Sequence, residues 1–113
     1  MLHFKVITGF SVAWAQVKAS CQMFFSSKTR QAYAVRDSGL FDITWYYEQY
    51  PDVAKAGIDP IRHYIYYGAA EGRDPAPWFS TNAYLNNNPD VASVEINPFF
   101  HYICYGVNEN RQL

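Results

Sequence analysis

From residue 41 onward, apolar side chains recur in short runs at helical spacing, and each run is cut by a proline or a glycine. Ile43, Tyr46, Tyr47 and Tyr50 stand at i, i+3, i+4 and i+7, with Asp42 in front to cap a first helix. Pro51 stops that helix, because residues before proline avoid the helical region. Asp52 then opens a short helix through Val53 and Ala54 that ends at Gly57, and its capping role accounts for the carboxylate. Asp59-Pro60 is a second start: a capping residue, then a proline at the first helical position, where its missing N–H is harmless. Ile61, Tyr64 and Ile65 form the buried stripe of that helix, and Gly68 is either a close-packing point or a stop.

The N-terminal stretch carries one longer pattern. Val6, Phe10, Ala13, Trp14, Val17, Cys21, Phe24 and Phe25 follow a helical period, and Thr8, Ser11, Ala15, Lys18 and Gln22 fall on the other side. This predicts an amphipathic helix, weakened at Gly9 by about 1 kcal/mol relative to alanine. Its docking face is Val6, Phe10, Trp14, Val17 and Phe24. Four fates fit the pattern: a cap packed on the rest of the chain, a basic helix lying on an anionic membrane or a partner helix, a signal peptide, or a spanning helix. Gln16, Lys18 and Gln22 interrupt the spanning reading. Ser26-Ser27-Lys28-Thr29-Arg30 reads as a polar linker.

Shifting the sequence by 38 superimposes it on itself. Phe41 falls on Phe79, Tyr46 on Tyr84, Pro51-Asp52-Val53-Ala54 on Pro89-Asp90-Val91-Ala92, and His63-Tyr64-Ile65 on His101-Tyr102-Ile103. Ile58 falls on Ile96, Pro60 on Pro98, Tyr67-Gly68 on Tyr105-Gly106, Glu71 on Glu109 and Arg73 on Arg111, making 15 identities in 35 positions, too many for chance. A period of this length marks stacked supersecondary units. The expected fold is all-α: two stacked 38-residue helical repeats, residues 41–78 and 79–113, preceded by the N-terminal amphipathic helix. Residues 1–36 form the basic arm and linker, and 37–113 the repeat domain. The second copy is degraded. Gly57 becomes Glu95, Gly72 becomes Asn110, Trp45 becomes Ala83, and Asn86-Asn87-Asn88 should fray the end of its first helix. Two units are fewer than the roughly three such arrays need, so the arm or a partner is expected to complete the stack.

Charge divides the chain the same way. Five bases and no acid precede Asp37, whereas ten acids and four bases follow. The acidic body argues against nucleic acid as a partner. Cys21 and Cys104 do not make a disulfide framework, and free, inert thiols are expected.

Candidate chemistry is sparse. His63 and His101 occupy equivalent positions without a His-x-x-x-His or Cys-x-x-Cys pattern, so they read as structural hydrogen-bonding residues between units. Glu71 and Arg73, with Glu109 and Arg111, suggest salt bridges to a neighbouring unit. No calcium loop or nucleophile–base set is visible; the expectation is no metal, no cofactor and no enzyme. The feature in excess is aromatic: 10 Tyr, 8 Phe and 3 Trp. Trp45, Tyr47, Tyr50, Tyr66, Tyr67, Trp78 and Phe79 exceed what one helical face buries. Of these, Trp45, Tyr47, Tyr50, Tyr66 and Trp78 are the candidate interface or ligand-stacking residues, since flat rings anchor proteins or stack on sugars.

The units Phe41-Asp42-x-x-Trp45-Tyr46, Tyr50-Pro51-Asp52-Val53-Ala54, Gly57-Ile58-Asp59-Pro60, His63-Tyr64 and Gly68-Ala69-Ala70-Glu71-Gly72-Arg73 resemble a short bacterial repeat of "YPDVA … HY … G … EGR" type, over roughly residues 38–113. Such repeats accompany glycosyltransferase domains that build surface polysaccharide and occur in secreted calcium-binding repeat proteins. The resemblance implies a bacterial cell-envelope or membrane-associated setting, on the cytoplasmic face if the N-terminal segment is not a signal peptide. It supplies no catalytic residues, and no Asp-x-Asp metal–nucleotide motif is present. Two functions follow as expectations. One is a non-catalytic interaction or scaffolding module, an accessory subunit, fragment or piece of a larger complex, which it meets through its aromatic surface and N-terminal helix. The other is a carbohydrate-binding accessory of polysaccharide assembly.

Overall fold

The computed structural model describes residues 27–113, which are helical with short turns between. The N-terminal docking face of Val6, Phe10, Trp14, Val17 and Phe24 lies outside the described residues. Helix α1 spans Lys28–Ser38. It forms where a linker is expected because both ends carry strong signals. The Ser27 side chain accepts from the Arg30 N–H, and Gly39 adopts the left-handed conformation (φ 70°) that returns its N–H to the Arg36 carbonyl.

Six further helices follow: α2 (Ile43–Gln49), α3 (Pro51–Ala56), α4 (Pro60–His63), α5 (Thr81–Asn87), α6 (Pro89–Ala92) and α7 (Pro98–His101). Both α4 and α7 run on without a break into π turns, Tyr64–Gly68 and Tyr102–Gly106. The order α2–α3–α4–π recurs as α5–α6–α7–π at the spacing read from the sequence. The first start forms as the sequence expects, and the second unit repeats it. Asp42 accepts from Trp45 N–H, Ser80 from Ala83 N–H, and Asn97 from the N–H groups of Phe99 and Phe100. Pro51, Pro60, Pro89 and Pro98 stand in the first turns of their helices.

Several expectations change. Asp52 lies in the first turn of α3 rather than capping it; the cap position is Tyr50, without a side-chain bond. Asp59 heads α4, but its carboxylate turns to Arg36 at 2.6 Å. The Asn86-Asn87-Asn88 run does not fray α5, which has the same seven residues as α2. Asn88 is buried, and its amide donates to the carbonyls of Tyr84 (2.8 Å) and Gln112 (3.0 Å). The change of Gly57 to Glu95 does have an effect. Gly57 closes six-residue α3 at φ 69°, whereas α6 has four residues and no left-handed end. Asn110 takes the place of Gly72 by adopting the same region, φ 55° against 80°. Asparagine tolerates that region better than other side chains.

The core is ring-rich. Tyr46, Tyr64, Tyr84, Phe79, Phe99, Phe100, Ile61, Ile103, Val35, Val53 and Val91 are almost inaccessible. Phe79, counted above among the surplus rings, belongs to this core. Helix α1 lies against both α4 and α7 and buries Ala32, Ala34 and Val35. Its buried Gln31 also accepts from the Asn97 N–H at 3.3 Å. One helix thereby bridges α4 and α7, the third helices of the two units.

Candidate functional site

The polar residues singled out by the repeat build two copies of one structural device. Tyr46 is fully buried, and its hydroxyl meets His63 Nδ1 at 2.9 Å; Tyr84 meets His101 Nδ1 at the same distance. These bonds run within a unit, not between units as expected. The ring sits there because a glycine faces it. A Cβ on Gly68 would overlap the Tyr46 hydroxyl, and one on Gly106 the Tyr84 hydroxyl. Gly68 is therefore the close-packing point, and the π turn ends where the tyrosine enters. Burial, with some help from the Arg73 charge, lowers the His63 pKa; burial and Arg111 do the same to His101. Burial raises the Tyr46 hydroxyl well above its usual range and pushes Tyr84 up to about 12. Burial favours the neutral form of each histidine, which is hydrogen-bonded to a buried phenol as a structural pair.

The acidic residues are spoken for in the same way. Arg73 grips Asp52 through two nitrogens, at 3.0 and 2.9 Å, and Arg111 grips Asp90 at 2.8 Å through both. Each arginine also meets the glutamate two residues before it, Glu71 or Glu109. The ladder expected between units is thus a staple within each unit, tying its C-terminal turn to its short helix. The guanidinium holds the Asp52 carboxyl below its ordinary range and the Asp90 carboxyl down to about 2. Arg73 further lies 4.8 Å over the Tyr50 ring, while Arg111 donates to Asn88, which stands where Tyr50 would.

The five candidate stacking residues do not form one surface. Trp45 and Tyr50 meet edge to face at 6.2 Å, and the Tyr50 hydroxyl accepts from the Asp74 N–H. The Tyr47 hydroxyl donates to the Ile58 carbonyl at 2.7 Å. Tyr66 is held between α1 and α4, its hydroxyl bonded to Thr29 and its ring flanked by Lys28 and Arg62. These four are half-buried parts of the scaffold. Trp78 differs. It rests against Phe79, Phe99 and Tyr102 yet remains 44 % exposed.

Trp78 lines an open depression of ≈ 350 Å³ with residues 39–44. Leu40 and Ile43, on the same wall, are 39 % and 44 % exposed. Asp42 and Thr44 supply polar edges. Sequence periodicity assigned Ile43 to a buried face and passed over Leu40. The available signal was the pairing of Ile43 with Thr81, an apolar residue set against a polar one. Leu40, Ile43 and Trp78 thus set three exposed apolar side chains around one concavity.

Cys104 is disulfide-bonded, contrary to the expectation of free thiols; Cys21 lies outside the described residues. Among the described residues no group of His, Cys, Asp and Glu could hold a metal, and no helix is long and apolar enough to cross a membrane. No family model, no curated protein and no solved structure matches the chain.

Proposed function

We propose that residues 41–113 are two stacked helical repeats that act as a non-catalytic docking module, an accessory subunit of a larger, envelope-associated bacterial assembly. The observation that carries this reading is the depression bounded by Leu40, Ile43 and Trp78. Large apolar side chains grouped at a concave surface are a recurrent mark of partner sites. The histidines and carboxylates support it by their engagement: each recurring one is held in the tyrosine clasp or the arginine staple, which leaves binding as the work of the surface. The Cys104 disulfide supports a setting outside the reducing cytoplasm. The test is recovery of the chain from native membranes. Wild-type chain should purify in a stable complex that the Ile43→Glu, Trp78→Ser variant fails to enter. Recovery of both as free monomer would reject the reading.

A carbohydrate-binding accessory of polysaccharide assembly is the second reading. It is favoured by a half-exposed indole beside the Asp42 carboxylate and the Thr44 hydroxyl, the combination that stacks on and hydrogen-bonds a sugar ring. It requires oligosaccharide titration to change tryptophan fluorescence in the wild type and not in Trp78→Ser. Silence across acidic and neutral oligosaccharides removes it.

A further inference from the structure

The internal repeat lets the joint between its own units be used as a template for what covers its two ends. At the joint, Tyr64 of the first unit is fully buried. Its ring meets Phe99 edge-on at 6.3 Å and its hydroxyl bonds Thr81 Oγ1 at 2.8 Å. Thr81 is likewise fully buried. Its N–H donates to the Asp74 carboxylate and its hydroxyl to the Arg73 carbonyl. A tail made of a tyrosine, a carbonyl and an acceptor side chain thus receives a head made of a helix first turn with a ring beneath it.

Shifting each member by 38 residues finds both halves again, and finds their counterparts more exposed. The tail equivalent of Tyr64 is Tyr102, which is only half-buried, and its hydroxyl has no partner among the described residues. The equivalents of Arg73 and Asp74 are Arg111 and Gln112, and Gln112 is exposed. The head equivalent of Thr81 is Ile43, which is 44 % exposed where Thr81 is 0 %. The equivalent of Phe99 beneath it is Ile61, buried in the core. Ile43, Tyr102 and Gln112 thus stay exposed or half-buried where their counterparts at the joint are more covered.

We propose that the occupant of the Leu40–Ile43 face is a second copy of this chain, seated head to tail, with the Tyr102–Gln112 end of one copy on the α2 end of the next. This rests on the reading that the Leu40–Ile43 face is an interface, and it names the partner. The chemistry the tail requires is that of a repeat start: a helix first turn with an unpaired N–H, an apolar residue in it and a packed core beneath. The head of the same chain supplies these in Ile43, α2 and Ile61. One element is missing, because Ile43 has no hydroxyl for Tyr102. The contact is therefore weaker than the internal joint and depends on concentration. It is also heterologous, so copies add head to tail, into a ring or an open line, instead of pairing as an isologous dimer.

Sedimentation velocity on the purified full chain tests this. The wild type should shift from a 13.0 kDa species to dimers and longer chains as concentration rises. Ile43→Glu removes the head and Tyr102→Lys the tail, and each alone should remain monomeric. Mixed, they should form a one-to-one dimer and nothing longer, since each retains one good end. Circular dichroism confirms that the variants are folded; if Tyr102→Lys is not, the exposed Gln112→Arg takes its place. A wild type that stays monomeric at every concentration, or folded variants that do not pair when mixed, overturns the inference. If the wild type is monomeric alone but still enters a native complex through Ile43, the interface reading stands and only the second copy is rejected.

Discussion

Gly68→Ala sets two effects of opposite sign against each other. Gly68 sits at the helical end of the π turn with negative φ, and alanine in a helix is favoured over glycine by about 1 kcal/mol. Propensity alone therefore predicts a more stable protein. The structure predicts the reverse, because the new methyl would occupy the space of the Tyr46 hydroxyl. That hydroxyl is the tip of a ring held by Phe41 at 5.0 Å, Tyr50 at 4.7 Å and Tyr64 at 6.3 Å, so it cannot swing away cheaply. Overpacking of a core costs about 1–3 kcal/mol, and displacing the hydroxyl from His63 adds about 1 kcal/mol. Set against the propensity gain, the net loss is about 1–3 kcal/mol, a fall in Tm of roughly 4–8 °C for each kcal/mol in a domain of this size. Denaturant melts of Gly68→Ala, Tyr46→Phe and the double variant measure it. The double variant should be more stable than the two single losses sum to, because phenylalanine leaves room for the methyl. Stabilisation by Gly68→Ala, or a loss undiminished in the Tyr46→Phe background, would falsify the clasp.

Three further outcomes follow from the same geometry. Tyr46→Phe strands a buried His63 nitrogen and should cost about 1–3 kcal/mol, while Tyr84→Phe should cost less because His101 is more exposed and can turn to water; equal losses in chemical melts would contradict this. Both histidines have folded pKa values below the ordinary value, so the unfolded chain binds more protons as pH falls. Stability should be complete above about pH 6.5 and decline as pH drops through the folded pKa values, a slope read from urea midpoints and flattened in Tyr46→Phe/His63→Leu. Asn110→Ala should destabilise by about 1 kcal/mol and Asn110→Gly should not, since only the backbone conformation at φ 55° is at stake; a neutral alanine variant speaks against it.

Much of the fold was legible because its signals are local. Proline positions, Asp42 and the 38-residue shift located the helices of both units. What escaped depends on contacts between distant residues. Helix α1 looked like a linker because its polar composition hides a buried edge of Gln31, Ala32, Ala34 and Val35, visible only once α4 and α7 lie beside it. Asp52 looked like a cap because its partner, Arg73, is 21 residues away. Asn88 looked like a helix breaker, yet it reaches Gln112 much as Tyr50 reaches Asp74. For the site, residue type pointed to five rings, four of which serve the scaffold. Trp78 remained, and its neighbours Leu40 and Ile43 were hidden by a periodicity that says which face is apolar but not what covers it.

We propose that this chain works as a part held by a neighbour through the Leu40–Ile43–Trp78 face. The most direct measurement is the sedimentation of the native particle that contains it, released gently from cells expressing the wild type or Ile43→Glu. Wild-type chain should sediment in a particle well above 13.0 kDa, and the variant should be displaced toward the monomer. Wild type and variant sedimenting together as a 13.0 kDa monomer would contradict it.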